Sequence, residues 1–155
     1  MSFDFDLSTV LDESRVLILK SSKKRVALKA LIDCLARAPQ VKEPLELAEG
    51  IFHREQLMST GIGMGIGVPH VRLDSVESPV MCVGICRNPI TDYESLDQGP
   101  VRLIFMIAAG KDQHTEYLRL LAYVSSKLKD ERLRNALIDA PDTKTAYRII
   151  AQKDK

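Results

Sequence analysis

The sequence predicts one domain of the α/β or α+β class, with helices before, between and after a few buried strands. Two continuous apolar runs have the composition of buried strands, and most other apolar residues recur at helical spacing. The 155 residues correspond to about one domain, and neither a linker nor an internal repeat divides them. We therefore expect residues 1–155 to form a single domain.

The first half of the chain is predicted to contain a short strand and two helices. Residues 15–19 are a brief apolar run that suits an edge strand. Residues 23–38 carry apolar side chains at helical spacing, and Ser21 and Ser22 are suited to cap this helix at its N-terminus. Residues 44–54 form the second predicted helix, because they open with a proline, which favours the first turn.

The second half is predicted to contain two buried strands followed by helices. Residues 80–86 read V-M-C-V-G-I-C and residues 101–109 read V-R-L-I-F-M-I-A-A, which suits strands of a largely buried sheet. The Asn-Pro pair at 88–89 and the run D-Q-G-P at 97–100 predict turns between these strands. Three apolar stripes at helical spacing follow: Tyr117, Leu118, Leu121, Val124 and Leu128; Leu133, Ala136 and Leu137; Ala146, Ile149 and Ile150.

Charge and histidine spacing exclude several classes of function. The 22 basic residues nearly balance the 21 acidic ones and tryptophan is absent, so we expect no nucleic-acid partner. The three histidines lack the spacing of metal ligands, and the cysteines do not supplement them. His114 stands at a predicted helix start, where polar residues commonly cap, and His53 is expected to be solvated on the second helix.

The N-terminus and the cysteines predict a cytoplasmic protein. Asp4 and Asp6 stand where a signal peptide would carry basic residues, and no apolar run approaches the roughly 18 residues of a membrane span. We therefore expect no membrane insertion. Cys34, Cys82 and Cys86 are odd in number and form no Cys-x-x-Cys pair, and the last two are expected to be buried thiols.

Residues 59–70, S-T-G-I-G-M-G-I-G-V-P-H, are the most distinctive stretch of the chain. They contain four of the eight glycines, at alternate positions. Their spacing fits neither the Walker pattern nor the dinucleotide-binding pattern, and the chain lacks a G-x-S-x-G elbow. Alternating glycines allow another group to approach the backbone closely and leave N–H donors unobstructed.

His70, at the end of this stretch, is the candidate nucleophile. Pro69 stiffens the approach to it, and its imidazole is neutral at pH 7 when the pKa has its ordinary value of about 6.5. Arg54, Ser59 and Thr60 lie just upstream and are able to hold a phosphoryl group by charge and hydrogen bonds. From spacing alone, an ordinary glycine-rich turn with a structural histidine remains the alternative.

A longer set of motifs surrounds the glycine stretch. Arg54-Glu55 is followed by S-T-G-I-G at 59–63 and G-I-G-V-P-H at 65–70. These motifs resemble those of the type-2 IIA proteins of the bacterial phosphotransferase system, the fructose, mannitol and nitrogen-regulatory family. The similarity continues through the predicted strand at 101–109 and through His114, and it covers nearly the whole chain. It implies an α/β fold with a single mixed β-sheet of about five strands flanked by helices.

The resemblance implies a phosphohistidine carrier that needs neither a cofactor nor a metal. His70 would accept a phosphoryl group from the small phosphocarrier protein HPr, as a tele-phosphohistidine, and pass it on. Arg54 would counter the phosphoryl charge, and His114 would donate a hydrogen bond to the group. The remaining phosphoryl-binding residues would stand at the start of the glycine stretch: Ser59, Thr60, Gly61 and Gly63.

Three positions depart from the family pattern. Met64 stands where Asn is common, and we expect this change to remove a polar side chain near the site. Gly67 replaces the usual Ala and is expected to loosen the backbone, and Val71 replaces a small residue. We expect phosphoryl transfer to survive these changes. An apolar rim for docking HPr is expected around Ile62, Met64 and Ile66.

The resemblance is strongest to the nitrogen-regulatory branch, in which the phosphorylation state is read by partner proteins. A chain of 155 residues leaves no room for fused transport domains, residues 22–25 are basic, and Arg72 follows the histidine. The alternative within the family is a freestanding sugar-transport IIA subunit that passes its phosphate to a IIB protein. A different class of function is a binding module that has kept the fold and lost phosphotransfer. A small-molecule anion-binding domain is the weakest of the alternatives.

Overall fold

A six-stranded mixed sheet with helices on both faces forms the part of the chain that the computed structural model describes, residues 6–152. Residues 1–5 and 153–155, with Asp4 and the ends of the predicted domain, lie outside it. The strands of the described part are β1 Val16–Leu19, β2 Gly61–Gly63, β3 Ile66–Gly67, β4 His70–Arg72, β5 Val80–Ile90 and β6 Val101–Ala109. Its α-helices are α1 Lys24–Ala36, α2 Pro44–Leu57, α3 His114–Lys127, α4 Glu131–Ile138 and α5 Thr143–Ala151.

The two longest strands, β5 and β6, form the antiparallel centre of the sheet. The strand order is β1-β5-β6-β3-β2, and β1, the predicted edge strand, pairs with β5 in parallel. Alternate side chains of β6 enter two cores: Phe105 and Ile107 pack with α3, α4 and α5, whereas Ile104 and Met106 pack with α1 and α2. The sheet is therefore covered on both faces, as the continuous apolar runs predicted.

The strands β3 and β4 are two parts of one line along β6. Ile66 and Gly67 pair with Leu103 and Ile104, and β4 resumes where His70 pairs with Ile107. Between them the Pro69 carbonyl accepts from the amide of Ile107 at 3.0 Å. Because proline has no N–H, the ladder is interrupted at this point, and His70 opens a new strand directly after the interruption.

Three local predictions are corrected: one turn, one helix cap and one helix face. The Asn-Pro pair at 88–89 lies inside β5, in a stretch of irregular register between Ile85 and Ile90, where proline is tolerated. Neither predicted serine caps α1; the helix begins at Lys24, whose amide donates to the Asp92 carboxylate at 2.9 Å. On α3, Leu118 is 49% exposed, because the buried stripe runs instead through Tyr117, Leu120, Tyr123 and Val124.

Several other sequence predictions are confirmed. The helix α2 starts at Pro44, α3 starts at His114, and β6 has the predicted bounds. Cys82 and Cys86 are buried thiols, and burial raises the pKa of Cys86 to about 12.

Within residues 6–152, the structure has no helix long and apolar enough to cross a membrane.

Candidate functional site

His70 stands at the start of β4 with one ring nitrogen fixed by the backbone. Its Nδ1 lies 2.6 Å from the carbonyl oxygen of Val68, which accepts the Nδ1 proton. In the neutral ring this hydrogen bond places the lone pair on Nε2. The side chain is half-buried, and burial, followed in effect by the positive charge of Arg54, lowers its pKa below 6.5 despite that hydrogen bond. The surroundings of His70 thus favour a neutral imidazole whose Nε2 carries the lone pair.

An open cleft of about 640 Å³ lies beside His70, between α2 and β4. Arg54, Arg72 and Lys111 bring positive charge to its wall. The packing of α2 against β4 brings these elements together, and Gly50 permits it, because a Cβ there would lie 3.0 Å from a methyl group of Val71. The lining residues are Gly50, His53, Arg54, Leu57, His70, Val71, Arg72, Leu73, Lys111 and Tyr117. This arrangement suits an anion beside the histidine.

Arg54 lies in the last turn of α2 and faces the cleft. Its Nη1 donates to the carbonyl oxygen of Met58 at 2.6 Å, one of the carbonyls released where the helix ends. A guanidinium has five N–H donors, so this bond orients the side chain and uses one of them. The structure therefore brings Arg54 and His70 to one cleft, as the sequence predicted.

His114, the second predicted histidine, is exposed at the start of α3 and does not line the cleft. Its Nδ1 lies 2.9 Å from Nη1 of Arg72, which does line the cleft. The Tyr117 ring, one turn along α3, lies 5.8 Å from the His70 ring and 5.5 Å from the Arg72 guanidinium. Arg72 therefore links His114 to the site, a role that the sequence analysis did not assign to it.

The four residues predicted to bind the phosphoryl group make their contacts away from the cleft. The Ser59 hydroxyl donates to the Glu94 carbonyl at 2.6 Å. A Cβ at Gly61 would lie 2.2 Å from that same carbonyl oxygen, and Gly63 has a φ of +94° in front of Asp97. Ser59, Gly61 and Gly63 are thus committed to packing against residues 94–97, and direct contact with a phosphoryl group stays a prediction for them.

Thr60 belongs to a buried polar cluster. Its hydroxyl donates to Glu55 Oε2 at 2.6 Å and lies 2.6 Å from the Tyr93 hydroxyl, which donates to it in turn. Glu55 Oε1 accepts from the Thr60 amide at 3.2 Å and from Lys24 Nζ at 3.0 Å. We call Lys24, Glu55, Thr60 and Tyr93 the polar cluster.

The polar cluster supports His70 through the backbone. The Thr60 carbonyl accepts from the amide of Val68 at 3.0 Å, and the Val68 carbonyl in turn holds His70. Sequence reasoning noticed Glu55 only as the neighbour of Arg54. Lys24 and Tyr93 are missed because they lie more than 30 positions from Glu55 and Thr60 in the chain.

The structure gives Met64 and Gly67 surroundings that differ from the expected ones. Met64 and Gly65 have φ values of +58° and +76° and form the turn between β2 and β3, a conformation that favours Asn-Gly. The Gly65 carbonyl accepts from the amide of Arg102. His70 pairs with Ile107, which lies five residues further along β6, and five strand residues span about 16 Å. Met64 is therefore a turn residue remote from the site.

Gly67 makes room for an aromatic ring instead of loosening the backbone. A Cβ at this position would lie 2.7 Å from Cζ and from the hydroxyl of Tyr93. The expected apolar rim is also wrong in part, since Ile66 is fully buried in the core. Among residues 6–152, no group of three or more His, Cys, Asp or Glu side chains is placed to hold a metal ion.

The curated proteins that are similar in sequence to this chain include a nitrogen regulatory protein and a fructose-specific component. A nitrogen regulatory protein of Pseudomonas aeruginosa is 34% identical over 129 residues, which are 83% of this chain and 82% of that protein. A fructose-specific EIIABC component of Bacillus subtilis is 34% identical over 137 residues, or 88% of this chain. The chain spans 21% of the length of the Bacillus protein.

Two solved structures share the fold. The nitrogen regulatory protein IIA-Ntr of Neisseria meningitidis matches with a TM-score of 0.85 and 23% identity, over 93% of this chain and 98% of that one. The mannitol enzyme IIA of Escherichia coli, solved in a complex with phosphorylated enzyme IIB, matches with a TM-score of 0.77 and 21% identity, over 91% of this chain and 96% of that one. The mixed α/β fold is thus that of the phosphotransferase IIA proteins.

A sequence model of one protein family matches residues 9–153, which include every strand and helix described above. The family is described as "Phosphoenolpyruvate-dependent sugar phosphotransferase system, EIIA 2". This match and the relatives agree with the motifs around His70. The chain belongs to the EIIA type-2 family of the phosphoenolpyruvate-dependent sugar phosphotransferase system.

Proposed function

We propose that the protein is a phosphocarrier whose His70 accepts a phosphoryl group from the phosphohistidine of an HPr-type protein. The hydrogen bond from Nδ1 to the Val68 carbonyl carries this proposal, because it leaves the Nε2 lone pair as the nucleophile. A bond forms between Nε2 and phosphorus as the bond to the donor nitrogen breaks, and that electron pair stays on the donor imidazole. The product is a tele-phosphohistidine.

The charge of the cleft supports this chemistry. Phosphoryl transfer has a loose transition state with negative charge on three equatorial oxygens, so positioning and positive charge dominate catalysis. Arg54 and Arg72 line the cleft beside His70. Arg54 is the proposed counter-charge to the phosphoryl group, and His114, reached through Arg72, is the proposed hydrogen-bond donor.

A labelling experiment tests the acceptor residue. The protein is incubated with Enzyme I, an HPr-type carrier and labelled phosphoenolpyruvate, beside a His70→Ala variant whose fold is checked by circular dichroism. We expect label on the wild-type protein only, labile to acid and stable to base. Label on His70→Ala, or label that survives acid, contradicts the assignment and points to a hydroxyl such as Ser59.

The proposed output of the carrier is regulatory. Support comes from the Pseudomonas nitrogen regulatory protein, which matches this chain over most of both lengths, and from the Neisseria fold match. Phosphorylation adds about two negative charges to the cleft. A regulatory target that docks there meets a different surface in each state, and the unphosphorylated form should bind at least one target more tightly.

A sugar-transport role is the second candidate. It is favoured by the fructose-specific Bacillus relative and by the mannitol IIA structure, whose partner in the complex is a phosphorylated IIB. Capture of partners by the phosphorylated and unphosphorylated protein separates the two roles. Identical partner sets, together with phosphate transfer to a sugar-specific IIB, favour transport, whereas state-dependent capture favours regulation. The cytoplasm is the proposed compartment, supported by the three free thiols.

A further inference from the structure

Two pairs of side chains join β4 to the first turn of α3. His70 and Arg72 are two residues apart in the strand and therefore share one face of it. His114 and Tyr117 are three residues apart in the helix and also share a face. His70 meets the Tyr117 ring, and Arg72 meets both the Tyr117 ring and His114 Nδ1.

The contact between Arg72 and His114 determines where the imidazole proton resides. Arginine has donors and no acceptor, so His114 Nδ1 must accept from Arg72 Nη1 at 2.9 Å. A neutral imidazole that accepts at Nδ1 carries its proton on Nε2. His70 has the opposite arrangement, because its Nδ1 donates to Val68. The fold therefore sets the two histidines in complementary tautomers, one as a nucleophile and the other as a donor.

We propose that Arg72 is a positioning residue that fixes His114 as an Nε2–H donor for the phosphoryl group on His70. This inference rests on the proposed phosphocarrier function. The Arg72 guanidinium is itself held over the Tyr117 ring, and that ring lies against His70. Arg72 thus ties the orientation of His114 to the element that carries the nucleophile, although 44 positions separate the two histidines.

Imidazole nitrogen NMR tests the tautomer without any phosphate transfer. In the wild-type protein, long-range proton–nitrogen correlations should show His114 protonated on Nε2. Arg72→Met keeps an apolar stem over Tyr117 and removes the donor, so both tautomers of His114 should appear, whereas Arg72→Lys restores a donor and the single tautomer. Lys111→Met is the matched control, because Lys111 is a cation of the same cleft whose ion pair is with Asp74 and not with His114. Arg72 is exposed, and its replacement leaves the core intact.

A double-mutant cycle separates positioning from direct binding of the phosphoryl group. Arg72→Met should slow phosphoryl transfer by roughly tenfold in the wild-type background and by less than twofold in a His114→Ala background. Equal losses in both backgrounds overturn the proposal, as does a wild-type His114 protonated on Nδ1. If the wild-type protein accepts no phosphate at all, the phosphocarrier function fails, while the NMR result still decides whether Arg72 sets the tautomer.

Discussion

The surroundings of His70 favour its neutral form. Burial has the largest effect and lowers the pKa, and the positive charge of Arg54 acts in the same direction. The hydrogen bond to Val68 and the negative charge of Glu55 oppose this, without reversing it. A neutral imidazole and a cationic cleft therefore coexist, because protonation of His70 would add one more positive charge to a partly desolvated site.

The lowered pKa of His70 predicts the pH dependence of phosphoryl acceptance. In the proposed mechanism the neutral ring is the nucleophile, so the rate should be lost only as pH falls through a pKa below 6.5. Arg54→Gln removes a lowering influence and should move the NMR titration midpoint of His70 upward, and Lys111→Gln, which is absent from the causes of the shift, should leave it in place. A wild-type midpoint above 6.5 contradicts this prediction.

The same shift has a consequence for stability. The pKa of His70 is lower in the native protein than in the unfolded chain, so at a pH between these two values the native protein binds fewer protons at His70. The contribution of this residue to the free energy of unfolding is therefore most favourable above pH 6.5 and decreases as the pH falls below that value.

Met64 is predicted to destabilise the turn that it occupies. A left-handed φ costs a residue with a Cβ about 1 kcal/mol, and Asn tolerates it better than Met. Met64→Asn should therefore raise the free energy of unfolding by about 0.5–1 kcal/mol, measured by urea denaturation, and leave the transfer rate unchanged. Leu96→Asn is the control, since Leu96 is also an exposed apolar residue near this turn and has no positive φ. A loss of phosphoryl transfer in Met64→Asn would indicate that Met64 belongs to the site.

At the scale of elements, the polar cluster joins α1 and α2 to the glycine-rich strands. Lys24 comes from the start of α1, Glu55 from the last turn of α2, and Tyr93 from the loop after β5. Tyr93 also occupies the space that a Cβ at Gly67 would fill. Gly67 therefore leaves the space that this aromatic ring occupies.

Substitutions at Thr60 test whether this residue supports the fold or binds the phosphoryl group. Thr60→Val removes a hydroxyl that serves both Glu55 and Tyr93 in a site where Thr60 is 4% exposed. Buried groups left without a partner cost about 1–3 kcal/mol, so the free energy of unfolding should fall by that amount, whereas Thr60→Ser should retain most of it. A stable Thr60→Val protein with abolished transfer indicates direct phosphoryl contact instead.

At the scale of the whole molecule, the apolar rim of the cleft lies on α2 and not on the β2–β3 turn. Leu57 lines the cleft and is 70% exposed. A phosphocarrier that docks over His70 would cover it, and burial of such a side chain contributes about 1.5–3 kcal/mol. Leu57→Asp should weaken binding of an HPr-type protein by roughly tenfold or more, measured by titration calorimetry.

Met64→Asp is the matched control for this docking prediction. It introduces the same charge at another exposed apolar residue, about 16 Å along β6 from the His70 pairing position. The affinity of the Met64→Asp variant for the HPr-type protein should equal that of the wild-type protein. A loss of affinity in Met64→Asp alone would restore the rim expected from the sequence.

Local signals in the chain predicted much of the fold. The apolar run at 101–109 has the bounds of β6, and Pro44 opens α2, because both signals act within a few neighbouring residues. The turn predicted at the Asn-Pro pair 88–89 is wrong, because these residues lie in an irregular part of β5 that pairs again with the start of β6 at Val101. Arg54 and His70 were predicted together from motifs, and the structure brings both to one cleft.

The fold class, the family and His70 as the candidate histidine could be predicted from the chain alone, because periodicity and the S-T-G-I-G and P-H motifs are properties of adjacent residues. The contacts of Thr60 with Glu55 and Tyr93, and of Arg72 with His114, became evident only in the folded structure. Those contacts join residues up to 42 positions apart. The contact of Arg72 with His114 depends on how β4 aligns with β6 and on how α3 packs against that sheet. Side-chain direction follows from that pairing and not from local spacing.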